Sequence, residues 1–409
     1  MNCRRFIAIA GTLNLLIGLL LLGSTALTSN FVNLDDPLLI LDNTAANGFS
    51  VKNVQKVFTS YDPELYVPLT LLSYQASWSL CGAEASCYHL TDLFIHILNS
   101  TILAVFLFML TQEPLIAGAC GLIFLLHPLN VEAFAWASGR KDLLAACATF
   151  LALAIDEWFE RNRGDESSDD PNMRRWVLGT VTCVGILSKV SAIVIAPLLI
   201  ILDIFARGKS LRSSVRDRWF LCGIGVVGMV IALGGKHDVI TNVALTTYAD
   251  VAVRSLGKFF ISIVSPANLS VLYPLSSTEP STGIAMLTIT CLFVSVWLLR
   301  RRFVTLIPGL LISSIALAPS FFNSVKGGEV YLTSDRYAYI PFIGVLLIIA
   351  ELVITLIQRD SKAVHYSIVG LLITLMAVEG IQAHSLQKKW MRSEEHTSEL
   401  QSRFGISYA

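Results

Sequence analysis

Long apolar runs alternate with short polar connections along this chain, and their lengths predict helices that cross a membrane. A hydrocarbon core of roughly 30 Å takes about 20 apolar residues in helical form. Runs of that scale are Phe6 to Thr28, His89 to Leu110, Asp142 to Phe159, Trp219 to Gly235, Ser281 to Leu299, Val304 to Ser320, Ala338 to Ile357 and Val364 to Ala383. Shorter runs at Leu115 to His127, Trp176 to Leu187 and Val190 to Phe205 bring the expected number of crossings to about 11. The first two of these cover only about 20 Å at 1.5 Å per residue. They belong inside the bundle or end at a water-filled cavity, where irregular backbone is tolerated. The expected fold is an all-α integral membrane protein.

Composition points the same way. Of 409 residues 54% are hydrophobic and 15% charged, and the mean hydropathy is +0.65, more apolar than a soluble domain of this length tolerates. Lys plus Arg and Asp plus Glu number 30 each, so placement informs where net charge does not. Basic clusters occur at Arg4/Arg5, at Arg161, Arg163, Arg174 and Arg175, from Arg207 to Arg218, at Arg300 to Arg302 and at Arg359/Lys362. Neighbouring clusters are separated by an even number of expected spans, so all fall on one side, the cytoplasmic one by the positive-inside rule. The N-terminus is then cytoplasmic and the C-terminus external, facing a periplasm or an organelle lumen according to whether the host membrane is a bacterial inner membrane or the endoplasmic reticulum. The first run is too long for a signal-peptide core and lacks a small-x-small cleavage site, so it counts as the first span.

Residues 1–390 form the expected membrane domain, with long external loops at 29–88, 236–280 and 321–337. In the large first loop Leu65, Leu69 and Leu72, with Tyr74 and Trp78, fit interfacial helices with aromatic rings at headgroup level. Cys81 and Cys87 share that loop, either as a disulfide or as two thiols; the remaining cysteines lie in or beside apolar runs as small core residues.

Charges at or near the bilayer mark functional or pairing sites. On the external side they are Asp35 and Asp36 before Pro37; Glu132, Arg140, Lys141 and Asp142; Lys189, which interrupts an apolar stretch; and Glu329, Asp335 and Arg336. Adjacent carboxylates suit a general base with a neighbour that orients it or binds a divalent cation, and an Asp pair before Pro is also an ordinary turn signal. Arg and Lys suit a phosphate leaving group; the same residues also serve to tie helices together through Asp142, Glu132 or Asp335. His127, at the external end of a short span, is foremost a capping or packing residue. No Cys/His spacing supports zinc, and neither a Walker loop nor a Gly-x-Gly-x-x-Gly fingerprint is present. A soluble nucleotide is thereby disfavoured as direct substrate. Asn268-Leu-Ser has the form of a glycosylation acceptor.

Five segments together resemble the membrane portion of the transmembrane and tetratricopeptide-repeat O-mannosyltransferase family and its bacterial relatives, within the GT-C glycosyltransferases. They are Phe31 to Asn43 with Asp-Asp-Pro, His127 to Leu144 with Ser-Gly-Arg-Lys-Asp, Leu187 to Asp203, Ser265 to Pro274, and Ser334-Asp-Arg-Tyr-Ala-Tyr-Ile-Pro. The resemblance implies a polytopic, GT-C-like enzyme that takes a monosaccharide, typically mannose, from a polyprenyl- or dolichyl-phosphate donor to a protein or glycan hydroxyl on the external face. It implies Asp35 as catalytic base with Asp36 as its acidic neighbour, and Arg140, Lys141, Lys189 and Arg336 around the donor phosphate, supported by His127, Glu132 and Asp335. No cofactor is required; a divalent metal at Asp35 and Asp36 is one expectation the family leaves open. Nucleic acid is not an expected partner. Two departures stand out. Relatives continue into tetratricopeptide repeats, whereas Met391 to Ala409 reads like translated sequencing-adapter DNA joined to a truncated gene. Lys189 is followed by Val-Ser where relatives often carry an acid or proline.

Two other classes compete. A transporter or flippase predicts inverted repeats with broken helices in corresponding places, and none is visible. A non-catalytic scaffold predicts no effect from replacing Asp35.

Overall fold

The computed structural model describes residues 1–61, 65–163, 171–235, 244–267, 269–275, 280–323, 325–326, 329–359 and 362–391. Asn268 and residues 392–409 lie outside that set. The fold is a helical bundle with a small sheet at one end. In chain order the helices are α1 (Cys3–Thr28), α2 (Val51–Thr59), α3 (Pro68–Cys81), α4 (Ala85–Thr111), α5 (Pro114–Leu126), α6 (Pro128–Ala135), α7 (Arg140–Arg161) and α8 (Pro171–Ser188). They continue with α9 (Val190–Phe205), α10 (Leu211–Gly234), α11 (Leu245–Val264), α12 (Thr282–Leu299), α13 (Leu306–Asn323), α14 (Phe342–Arg359) and α15 (Lys362–Met391).

Among the described residues, α1, α4, α10, α12, α13 and α15 are long and apolar enough to cross a membrane, and α5 with α6, bent by 55° at His127, makes a seventh if counted as one span. The chain is an integral, multi-pass membrane protein. The expectation of about 11 crossings stands only at that coarser level. α9 and α14 are shorter apolar helices, and the charged turns at the ends of α7 and α8 keep those two out of the group.

Local sequence accounts for the central helix. α7 is rich in Ala and Leu, good helix formers. Its small buried residues let neighbours approach, as membrane bundles require: a Cβ on Gly185 of α8 would lie 2.9 Å from Ala148 of α7 and 2.8 Å from Ala192 of α9. α13 and α14 cross closer still, where a Cβ on Gly344 would overlap Gly309 O.

Three features differ from the sequence reading. The loop expected at 236–280 contains the 20-residue helix α11. Its charges Asp250, Arg254 and Lys258 recur every fourth residue, and Val251, Ser255, Phe259 and Ser262 are buried together with Arg254, which donates to Pro280 O and Leu275 O. The segments 236–280 and 321–337 meet in a three-stranded antiparallel sheet of order β1-β3-β2, with β1 Tyr273–Pro274, β2 Val325–Lys326 and β3 Glu329–Thr333. In the first loop α3 buries Leu71, Tyr74 and Gln75 in the protein. Tyr74 therefore anchors the loop by donating to Ala137 O (2.8 Å). Cys81 and Cys87 form a disulfide joining α3 to α4.

Candidate functional site

The Trp136 to Asp142 segment is the centre of the site. A 3-10 turn at Ala137–Gly139 links α6 to α7, and three elements pin it. Tyr74 holds Ala137, Asp36 holds Ser138, and Gly139 N–H donates to Trp136 O (2.8 Å). Only glycine fits at 139, because a Cβ there would lie 2.6 Å from Ala133 O.

The two adjacent carboxylates have different surroundings. Asp36 is fully buried. Its Oδ1 accepts from Ser138 N–H (2.9 Å) and Ser138 Oγ–H (2.5 Å), and its Oδ2 accepts from Val32 N–H (2.8 Å). Burial pushes its carboxyl up to about 6 against the opposing effect of these hydrogen bonds. Asp35 is half-buried and lies within coulombic reach of Lys141 and Arg336. Three of the roughly four acceptor sites of the Asp36 carboxylate are taken by these hydrogen bonds. Among the described residues no group of three His, Cys, Asp or Glu could hold a metal ion.

The expected cations separate into two sets. Arg140, fully buried, is turned away: Nε donates to Asp92 Oδ1 (2.5 Å), Nη1 to Ser77 Oγ (2.8 Å) and Ser73 O (3.2 Å), and Nη2 to Tyr88 O (3.2 Å). It also lies over the Tyr74 ring at 4.8 Å. Arg140 thus fastens α3 to α4 and α7.

Lys141, Lys189 and Arg336 come together instead. Arg336 Nη1 pairs with Glu132 Oε1 (2.5 Å), and its Nε lies 3.7 Å from Asp142 Oδ2. Asp142 Oδ1 is also ion-paired to Lys189 Nζ. Aromatic rings interleave with the three charges. Trp136 faces Lys141 Nζ at 5.7 Å and Arg336 at 4.7 Å, and Tyr337 faces Arg336 at 4.9 Å and Lys189 Nζ at 5.1 Å. Asp142, Lys189, Ser191, Arg336 and Tyr337 line a small, open cleft whose apolar wall includes Ala316 and Pro319. Ser191 Oγ, Arg336 Nε and Asp142 Oδ2 are buried without a hydrogen-bond partner.

The supporting residues are structural. His127 Nδ1 accepts from Leu129 N–H (3.2 Å) and its ring packs on Phe342, so it caps the bend between α5 and α6. Glu132 receives Ser334 Oγ–H (2.7 Å) and Arg336 N–H (3.0 Å), fixing the Asp335–Ala338 turn. Asp335 accepts from Tyr273 (2.9 Å) and Ser270 N–H (2.6 Å), and burial together with Glu132 pushes its carboxyl well above the usual range.

A second polar cluster sits at the far end of α7. Asp156 pairs with Arg174 (2.7 Å), Arg207 (2.7 Å) and Arg218 (2.6 Å), and Asp203 with Arg207 (2.8 Å) and Arg218 (3.0 Å). Two of the five basic clusters that the sequence assigned to the cytoplasmic side, those of Arg174 and of Arg207 to Arg218, thus meet at the end of α7 opposite Asp142. Asp142 and Asp156 are about 21 Å apart along the helix.

No protein-family model matches the chain. Over 105 residues, a quarter of its length, it is 30% identical to protein O-mannosyl-transferase TMTC3 of Homo sapiens. Over 142 residues, 34% of the chain, it is 27% identical to protein O-mannosyl-transferase TMTC2 of Mus musculus. The chain covers only 11% and 16% of those relatives' lengths. The resemblance read from the five segments is thus to proteins of this name. Among solved structures, an Archaeoglobus fulgidus oligosaccharyltransferase tethered to an acceptor peptide matches at TM-score 0.49 and 13% identity, covering 94% of this chain and 55% of that one. ArnT of Cupriavidus metallidurans bound to undecaprenyl phosphate matches at TM-score 0.44 and 12% identity, covering 97% of this chain and 78% of that one.

Proposed function

We propose that the chain is a GT-C type glycosyltransferase that moves a monosaccharide, mannose in the first instance, from a polyprenyl- or dolichyl-phosphate donor to a protein or glycan hydroxyl on the external face of the membrane. The observation that carries this reading is the convergence of Lys141, Lys189 and Arg336 on one side of the Trp136 to Asp142 segment, with Asp35 close enough for its charge to act on two of them. Three cations answer the charge of a departing phosphate, while a half-buried carboxylate beside them is placed to take a proton.

In this reaction Asp35 removes the proton from the acceptor hydroxyl as its oxygen bonds to the anomeric carbon. The bond from that carbon to the donor phosphate oxygen breaks, and the electron pair leaves on the lipid phosphate. The anomeric configuration inverts. Ala316 and Pro319 on the cleft wall offer apolar surface beside the cations for the first part of an isoprenoid chain. Asp36 acts as a brace: by holding Ser138 and Val32 it sets both Asp35 and the start of α7. Arg140 does the same by tying the start of α7 to α3 and α4, and takes no part in phosphate binding. The external side is then the Asp35 end, with the Arg218 cluster cytoplasmic.

The test is transfer of radiolabel from polyprenyl-phosphate mannose to a mixed peptide and glycan acceptor pool by the purified full chain in detergent, beside Asp35→Asn. Label incorporated by wild type, and lost in a well-inserted Asp35→Asn, supports enzyme class and base together. Full activity in that variant would sink the assigned base.

A further inference from the structure

Lys141, Lys189 and Arg336 stand among three carboxylates, Glu132 paired with Arg336, Asp142 with Lys189 and Asp35 within coulombic reach of Lys141, and aromatic rings give them a second kind of partner. Lys141, Trp136, Arg336, Tyr337 and Lys189 form a ladder in which each ring is shared by two cations, at 5.7 and 4.7 Å for Trp136 and at 4.9 and 5.1 Å for Tyr337. Trp136 is 1% exposed and extended in backbone between α6 and the 3-10 turn. Trp390 of α15 stacks on it, centroids 6.2 Å apart with planes 21° from parallel. Its indole N–H is buried without a hydrogen-bond partner, so nothing polar on the described residues explains why this position is Trp.

The π face explains it. A carboxylate beside a cation cancels the charge that an anionic ligand needs, whereas a ring attracts the cation through its quadrupole and leaves the net charge intact. Asp142 and Glu132 supply the first kind of partner and hold the side chains in place. Trp136 and Tyr337 supply the second, Trp136 to Lys141 and Arg336 and Tyr337 to Arg336 and Lys189, and hold these side chains without adding further negative charge. We infer that Trp136 and Tyr337 are positioning residues that keep Lys141, Arg336 and Lys189 preorganised as a site for the phosphate of the lipid donor. The inference rests on the donor-phosphate reading above.

The experiment compares Trp136→Leu and Tyr337→Leu, which stay apolar but remove the π face, with Trp136→Phe and Tyr337→Phe. Each full-chain variant is assayed for donor KM, kcat and apparent unfolding temperature in one detergent. Binding of sugar-free polyprenyl phosphate is measured in parallel, with Arg336→Gln as reference. Each Leu variant is expected to raise donor KM and weaken lipid-phosphate binding about tenfold, the scale of one partly desolvated cation–π contact, with kcat moved far less. Phe should recover most of the loss. Tyr337, only partly buried, keeps the test open if Trp136→Leu fails to insert. Leu variants that bind as wild type does while Arg336→Gln does not would overturn the ladder alone, as would Leu and Phe variants impaired alike. Failure of wild type itself to bind the lipid phosphate, or no effect of Arg336→Gln, would overturn the donor site and the ladder with it.

Discussion

Replacing Arg140 separates a cation that binds phosphate from one that holds helices. Its guanidinium is fully buried and donates to Asp92, Ser77, Ser73 O and Tyr88 O. In Arg140→Met the Asp92 carboxylate is left in the interior without its countercharge, which costs about 3 to 5 kcal/mol. Removing both partners is a different matter: an apolar pair of similar volume is often neutral or stabilising. Here Ser73 O, Tyr88 O and Ser77 Oγ also lose a donor, at about 1 kcal/mol each where no other partner replaces it. Asp92→Leu/Arg140→Met should therefore recover part of the loss, ending about 2 to 3 kcal/mol below wild type. Apparent unfolding in a mild detergent ranks the three proteins, and donor KM is measured on those that insert. The double variant is expected to keep the wild-type donor KM. A double variant that inserts well but binds donor tenfold more weakly would refute the structural role and return Arg140 to the phosphate. A single variant as stable as wild type would refute the buried pair.

Two more outcomes can be checked on the same material. The folded carboxyl of Asp36 is raised to about 6 from 3.8, so its stabilising contribution is fully present below pH 3.8 and is lost as pH rises through about 6. A shift of that size is worth about 3 kcal/mol, and wild type should lose about that much relative to the non-titrating Asp36→Asn between pH 4 and pH 7. Parallel stability curves for the two proteins over this range would contradict the burial argument. Gly139→Ala places a methyl 2.6 Å from Ala133 O and should cost about 1 to 3 kcal/mol. Thermal unfolding and donor KM should worsen together, because the turn that shifts also carries Lys141; a change in one without the other would uncouple turn and site.

Much of the scaffold was legible because the hydrocarbon thickness imposes a length on apolar runs: α1, α4, α10, α12, α13 and α15 coincide with expected spans. α11 was not, since its three charges broke the apolar run; their four-residue spacing was the signal that marks a helix with one polar face. At the site, Lys141, Lys189, Arg336, Glu132 and Asp142 could be listed from the rule that charge near a bilayer is expensive. Their grouping could not, because it depends on how the bend at His127 and the turn at Asp335 bring α6, α9 and α14 together. Asp92 escaped notice for a related reason: it sits one helical turn inside an apolar run, 48 residues before the arginine it pairs with. Trp136 and Tyr337 carried no spacing signal, since single aromatics in an apolar chain are ordinary.

The two polar clusters on α7 have a mechanical consequence. A rod bolted at both ends can neither slide along its axis nor rock about its middle unless one fastening lets go. At one end Asp142 is tied to Lys189 and lies beside Arg336; at the other Asp156 and its neighbours join α7 to α8, α9 and α10 through Arg174, Arg207 and Arg218. Rigid-body rocking of the kind that exposes a central site to each side in turn would have to tear ion pairs out of a buried setting on every cycle. On the proposed reading, the site stays at one fixed depth and donor and acceptor travel to meet it there.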